Sequence, residues 1–293
     1  MIRPFAALWR NLTGTAAPPA ADAPRITDLG QPQDAIYAVG DVHGCRAELV
    51  ALLDRITQDA DRLGLRPRVI LLGDAIDRGP ESAGVIDLLL SPRHAPWVQA
   101  ILGNHESMML DFLARPQAHA HWIDSGGFET LLSYGLSLSR SDLAALPKRR
   151  ALQTVAAHIP DRHSAWLRSL PQGITLSMDG LRYMLTHAGY DPALPQDAQP
   201  ASVLLWGKGS HDAQPIPPDL RLVQGHVITE APDPAAARIR VDTGAYRTGR
   251  LSCLRIAPGH PPTIIALTLP RRTAPHPRPG RTGDLEGNHL GKH

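Results

Sequence analysis

Gly73-Asp74-Ala75-Ile76-Asp77-Arg78-Gly79 places two carboxylates and a guanidinium on one loop, directly after the apolar run Val69-Ile70-Leu71-Leu72. That combination suits one metal ligand, one orienting acid and one phosphate clamp. Four other loops carry related chemistry: Gly40-Asp41-Val42-His43-Gly44, Gly103-Asn104-His105-Glu106, His187-Ala188-Gly189 and Gly225-His226. Asp41, His43, Asp74, Asn104, His187 and His226 together offer carboxylate, imidazole and amide oxygen, a donor set that suits manganese, iron, zinc or magnesium and needs no thiolate. Two divalent cations against two carboxylates leave room for a hydroxide and a phosphate dianion, so the expected substrate is a phosphate ester. Metals roughly 3.5–4 Å apart share ligands and place a hydroxide for in-line attack; Asp74 is the natural shared ligand. His105 is then the candidate general acid, Asp77 the group that holds its imidazole and raises its pKa, and Arg78 the fork for the non-bridging oxygens.

Such residues need rigid elements to deliver them. Ala35–Val39, Val69–Leu72 and Trp97–Leu102 read as strands, each ending in one of these loops. Helical patterns follow at Leu49, Leu52, Leu53 and Ile56, at Val85, Leu88 and Leu89, and after Glu106. A repeated order of strand, polar loop and helix predicts an α/β fold with functional groups at one sheet edge. Residues 124–170 read as helical and rich in loops. Asp179-Gly180 between two apolar runs predicts a tight hairpin. Strands ending at His187, His226 and Asp242-Thr243-Gly244-Ala245, with two more at Leu251–Ile256 and Thr263–Leu269, predict a second half that leans antiparallel. Any one of these motifs alone reads equally well as a turn or a helix cap. Their joint occurrence, each after a strand, argues for a site.

The 293 residues, 43% hydrophobic and 20% charged, suffice for one large core, and a net charge of +2 is too small to imply a nucleic-acid surface. No apolar run reaches the length of a membrane span. Cys45 and Cys253 lie far apart and read as reduced thiols of a cytoplasmic protein. The expected organisation is a largely flexible N-terminal tail over 1–32, a catalytic domain over 33–269 and a Pro/Arg/Gly-rich disordered tail over 270–293. Phe5, Leu8, Trp9 and Leu12 have the spacing for weak contact of residues 1–12 with a membrane or partner surface, although a frayed tail is the expected state.

From about Ala35 to Leu269 these motifs in this order resemble the phosphoprotein phosphatase family of calcineurin-like metallophosphoesterases, and most of all its bacterial and bacteriophage branch. The resemblance implies a central two-sheet β-sandwich flanked by α-helices, a dinuclear site usually active with manganese, and hydrolysis of phosphoserine, phosphothreonine and sometimes phosphotyrosine in a phosphoprotein. By motif position it assigns Asp41, His43 and Asp74 to one metal, Asp74, Asn104, His187 and His226 to the other, and Asp77 with His105 to acid catalysis. The chain departs from the pattern at Lys208, where bacterial members commonly carry an arginine as a second phosphate clamp, at Ala75 and at Val227. Tyr246 is a further candidate to line the substrate cleft. Two alternatives stand beside this reading. One is a symmetrical bis(5′-nucleosyl)-tetraphosphatase, whose motifs typically carry Asp where this chain has Glu106 and Asn where it has Asp77. The other is a catalytically inactive binding or scaffold domain of the same fold.

Overall fold

The computed structural model describes residues 25–207, 209 and 214–270. The expectations for residues 1–12, for most of the N-terminal tail, for Lys208 and for the tail beyond Pro270 therefore lie outside the described residues.

Two five-stranded sheets pack face to face. The first is built on β2 (Ala35–Val39), β3 (Pro67–Leu71) and β4 (Val98–Ala100). These run parallel because α1 (Arg46–Leu63) and α2 (Ser82–Leu90) carry the chain back between them. Every residue of β2 is buried, and its apolar run still alternates in what it meets: Ile36 and Ala38 face the other sheet, whereas Ala35, Tyr37 and Val39 face the helices. α3 (Asn104–Ala114) and the short helices from α4 (Phe128–Ser133) to α7 (Asp161–Ser169) cover that outer face; α5 (Arg140–Ala145) and α6 (Lys148–Ala156) lie between them in sequence.

The second sheet has the order β1 (Ile26–Asp28), β5 (Gly173–Met178), β6 (Leu181–Thr186), β7 (Leu220–Gln224) and β8 (Arg238–Arg240). β5 and β6 form the expected hairpin, with Asp179 (φ 51°) and Gly180 (φ 80°) both left-handed as a tight primed turn requires. The remaining pairing differs from the antiparallel half expected from sequence. β6, β7 and β8 are mutually parallel, while β9 (Arg250–Ala257) and β10 (His260–Thr268) leave this sheet and join the first, β9 pairing antiparallel with β2. The β6–β7 connection explains the parallel step: it is long enough to cross over, and its helix α8 (Ala201–Trp206) buries Leu204 against Met184, Leu220 and Leu222 on the sheet's outer face. β1 falls inside the segment expected as tail, because Ile26–Asp28 pairs in parallel with Gly173–Thr175. Among the described residues no helix is long and apolar enough to cross a membrane.

Six parallel strand ends, three from each sheet, thus open on one edge of the sandwich. The five loops singled out in the sequence occupy that edge.

Candidate active site

Backbone close to the carboxylates forms the frame. Gly103 and Gly225 precede Asn104 and His226, and a Cβ on them would lie 2.3 Å from Asp74 Oδ1 and 2.1 Å from Asp41 Oδ1 respectively. Glycine is required there so that one loop can touch the carboxylate of another. Gly225→Ala is expected to displace Asp41 and lower metal content at least about tenfold. Gly180→Ala, whose Cβ would meet nothing within 4 Å, should cost only the ~1–2 kcal/mol of its left-handed backbone and leave metal content unchanged. Elemental analysis beside thermal melts checks both.

Among the described non-glycine residues, six are left-handed, and five of them are His43 (φ 44°), Asp74 (48°), Asp77 (72°), Arg78 (66°) and His226 (62°). Concentrated strain of this kind persists only where surrounding contacts over-determine it. Glu106 supplies much of that determination: its buried carboxylate accepts from the amides of Asp74 (2.9 Å), Ala75 (2.8 Å), Ile76 (3.3 Å) and Gly103 (3.0 Å), tying the second and third loops together. Burial, then the nearby Asp74 charge, push its pKa up to about 7.

Asp74 lies at the centre. His43 Nε2 is 3.5 Å and His105 Nε2 3.9 Å from its Oδ2, and His187 Nε2 is 3.4 Å from its Oδ1. Burial raises its pKa, but the His187, His105 and His43 imidazoles outweigh burial and hold it below the usual carboxylate range. Two trios have nitrogen and oxygen atoms mutually within 4.8 Å, His43 with Asp74 and His105, and Asp74 with His187 and His226. His105 rather than Asp41 completes the first of these. Asp41 stands 3.9 Å from His43 Nε2, and its carboxylate accepts from the His226 amide at 3.1 Å.

The hydrogen bonds also specify which imidazole nitrogen faces the site. His43 Nδ1 donates to the Ile76 carbonyl and His187 Nδ1 to the Leu72 carbonyl, both at 2.8 Å, which leaves each Nε2 a bare lone pair. The His187 Nε2 lone pair faces Asn104 Oδ1 at 2.7 Å. Two electron-pair donors side by side can bind one cation together. Burial, then Asp242 and Asp74, raise the Asp41 pKa well above the ordinary value, and burial brings Asp242 up to about 6. Burial likewise lowers His43 to about 3 and His226 to about 4. Asp41 thus favours its protonated form, while His43 and His226 stay neutral with lone pairs to offer a cation. This donor chemistry fits a pair of divalent cations.

Beside it, His105 Nδ1 donates to Asp77 Oδ2 at 2.7 Å. Burial lowers the His105 pKa, but Asp74 and Asp77 outweigh burial and raise it. Asp77 is held from three further directions: Trp122 Nε1 donates to Oδ2 (2.8 Å), Thr130 Oγ1 to Oδ1 (2.6 Å), and the Asp77 amide donates to Ser82 Oγ (3.0 Å). Arg78 Nη1 and Nη2 donate to His43 Nε2 and His105 Nε2, each at 3.0 Å. The structure thus brings together Asp41, His43, Asp74, Asp77, Arg78, Asn104, His105, His187, His226 and Tyr246. Lys208, the remaining candidate, is not described. Sequence reasoning missed Trp122, Thr130 and Ser82, whose long-range contacts carry no local signature, and Gly126, whose carbonyl accepts from the Arg78 amide, lies in a stretch read only as helical and rich in loops.

A sandwich whose parallel strand ends gather Asp, His and Asn around a shared carboxylate is the architecture of a metal-dependent phosphoesterase. Residues 35–227 match the calcineurin-like phosphoesterase family model, and the chain belongs to that family of hydrolases, which use divalent metals. It is 28% identical over 241 residues to serine/threonine-protein phosphatase 2 of Escherichia coli (strain K12), covering 75% of this chain and 92% of that protein. It is also 32% identical over 166 residues to the symmetrical bis(5′-nucleosyl)-tetraphosphatase of Paracidovorax citrulli (strain AAC00-1), covering 56% of this chain and 47% of that protein. A solved protein serine/threonine phosphatase from Saccharomyces cerevisiae shares the fold, with a TM-score of 0.52, 18% identity and coverage of 86% of each chain.

Proposed function

We propose that the protein is a phosphomonoester hydrolase acting on phosphoserine and phosphothreonine in proteins, with phosphotyrosine as a further substrate, in the cytoplasm, where Cys45 and Cys253 stay reduced. Asp41, His43 and Asp74 would hold one cation, and Asp74, Asn104, His187 and His226 the other. Two bound divalent ions, manganese by this donor set with iron, zinc or magnesium as chemical neighbours, supply Lewis acidity and a hydroxide nucleophile at neutral pH.

The chain's own residues do the rest. Arg78 presents two N–H groups to the non-bridging phosphate oxygens, with Tyr246 beside it; Lys208 would serve as a second phosphate contact. His105, protonated on Nε2, gives that proton to the departing oxygen. Asp77 accepts from Nδ1, fixing the ring and favouring the imidazolium.

The observation that carries the reading is the Asp77–His105 bond of 2.7 Å, backed by Trp122 and Thr130. A serine or threonine alkoxide is a poor leaving group and needs a proton, whereas a nucleotide phosphate leaves as a stable anion. A well-supported acid is worth building only for the first. The test is manganese reconstitution followed by turnover on a phosphoserine peptide and on diadenosine tetraphosphate. A kcat/KM at least tenfold higher on the peptide is expected. The reverse preference would assign the chain to the tetraphosphatases, and no turnover on either substrate or on p-nitrophenyl phosphate with any of the four metals would leave a binding domain.

A further inference from the structure

Arg78 is an exposed, long side chain held at both ends. The Arg78 amide donates to the Gly126 carbonyl at 3.1 Å, and its backbone is left-handed at φ 66°. At the far end two bonds hold the guanidinium, one to His43 Nε2 and one to His105 Nε2. The first depends on a bare imidazole lone pair. A cation held by His43 takes that lone pair, so with the metals in place the guanidinium loses this anchor.

The contact between Arg78 and Tyr246 survives that change. Arg78 Cζ lies 4.8 Å from the centroid of the Tyr246 ring, over its face, and the same ring stands edge-on to His43 at 5.2 Å and 82°. A cation over a π face keeps its attraction whatever the imidazoles are doing. The platform itself is stiff. Tyr246 sits in α9 (Ala245–Thr248), a single turn between left-handed Gly244 (φ 69°) and Gly249 (φ 71°). That turn is closed by Gly244 N donating to Asp242 Oδ1 (2.7 Å) and by Thr248 Oγ1 donating to the Thr243 carbonyl (2.8 Å).

We infer that Tyr246 is a positioning residue: its ring face holds the Arg78 guanidinium in place for phosphate once His43 is engaged by a cation, and it works through Arg78 rather than through its own contact with substrate. The inference rests on Arg78 being the phosphate clamp. It needs no decision between a phosphopeptide and a dinucleotide, because inorganic phosphate probes the clamp directly.

The experiment uses the full chain loaded with manganese. Calorimetric titration with inorganic phosphate, steady-state turnover of p-nitrophenyl phosphate, metal analysis and thermal melts are run on Tyr246→Leu, Tyr246→Met, Tyr246→Phe and Tyr246→Trp, with Arg78→Ala as the reference for a lost clamp. In Tyr246→Leu and Tyr246→Met the phosphate Kd and the KM are expected to rise together, about 5- to 30-fold, with kcat changed less than about threefold and manganese content unchanged. Tyr246→Phe and Tyr246→Trp keep a π face and should return both constants to within about twofold of the unsubstituted protein. The inference is overturned if the aromatic and aliphatic variants behave alike, if kcat falls while KM holds, or if the aliphatic variants lose manganese. Should Arg78→Ala itself bind phosphate normally, the clamp reading fails first; normal binding by Tyr246→Leu beside weak binding by Arg78→Ala sinks the inference about Tyr246 alone.

Discussion

Asp74→Asn is expected to leave a folded protein that no longer retains two metals per chain and whose turnover of p-nitrophenyl phosphate has dropped by about 10³-fold or more. The substitution keeps the shape and an oxygen able to accept from the His105 amide, which Asp74 Oδ1 does at 3.0 Å. What disappears is the negative charge between three imidazole nitrogens at 3.4, 3.5 and 3.9 Å. Losing an outer partner of a metal ligand typically costs 10- to 100-fold in affinity, and a ligand placed between two cations should cost more than about 100-fold for at least one of them. Elemental analysis after gel filtration reads the metal directly. Two retained metals would show that Asp74 is not shared.

Asp77→Asn should divide the chemistry differently. It removes no ligand, so two metals should remain, yet turnover on a phosphoserine peptide should fall by about 10²- to 10⁴-fold, the range a general acid supplies. With the carboxylate gone, the His105 Nδ1–H loses its charged acceptor and the imidazolium loses the neighbour that favours it. The fall on p-nitrophenyl phosphate should be much smaller, because nitrophenolate departs without a proton. A comparable drop on both substrates would remove His105 from acid catalysis, and a drop in metal content matching the drop in rate would mean that Asp77 serves the cations instead.

Much of this arrangement was readable before any coordinates. Short apolar runs ending in Gly-Asp, Gly-Asn-His or Gly-His marked the strand ends, and Asp179-Gly180 marked the hairpin, since both signals are local and rest on backbone conformations that few residues adopt. Strand partnership was not readable. β8 and β9 are close in sequence, yet β8 completes one sheet and β9 pairs with β2 in the other. Apolar periodicity records that a strand has a buried face and not which neighbour it meets. β1 escaped notice because Ile26-Thr27-Asp28 is short and mostly exposed, held by its pairing to β5 rather than by burial. Trp122 and Thr130 escaped for a different reason: they reach Asp77 across 45 and 53 residues, from a region whose own pattern shows only helix and turn. Sequence spacing brought the motif residues to one edge of the fold, but the support behind them was visible only in three dimensions.

The register of the outermost strands has a practical consequence. Ile26 in β1 lies level with Gly173 and so with Thr186, one residue before His187. At the other flank, the Leu269 amide donates to the Gly249 carbonyl, beside the turn that bears Tyr246. Arg25 and Pro270 therefore both stand toward the edge of the sandwich on which the site opens. An affinity handle or fluorescent fusion joined at either residue would begin beside the entrance, and tethering the protein to a surface through that point would turn the entrance toward the support. Assays on immobilised protein would then be best anchored at the opposite pole, through the exposed turn at Asp179-Gly180.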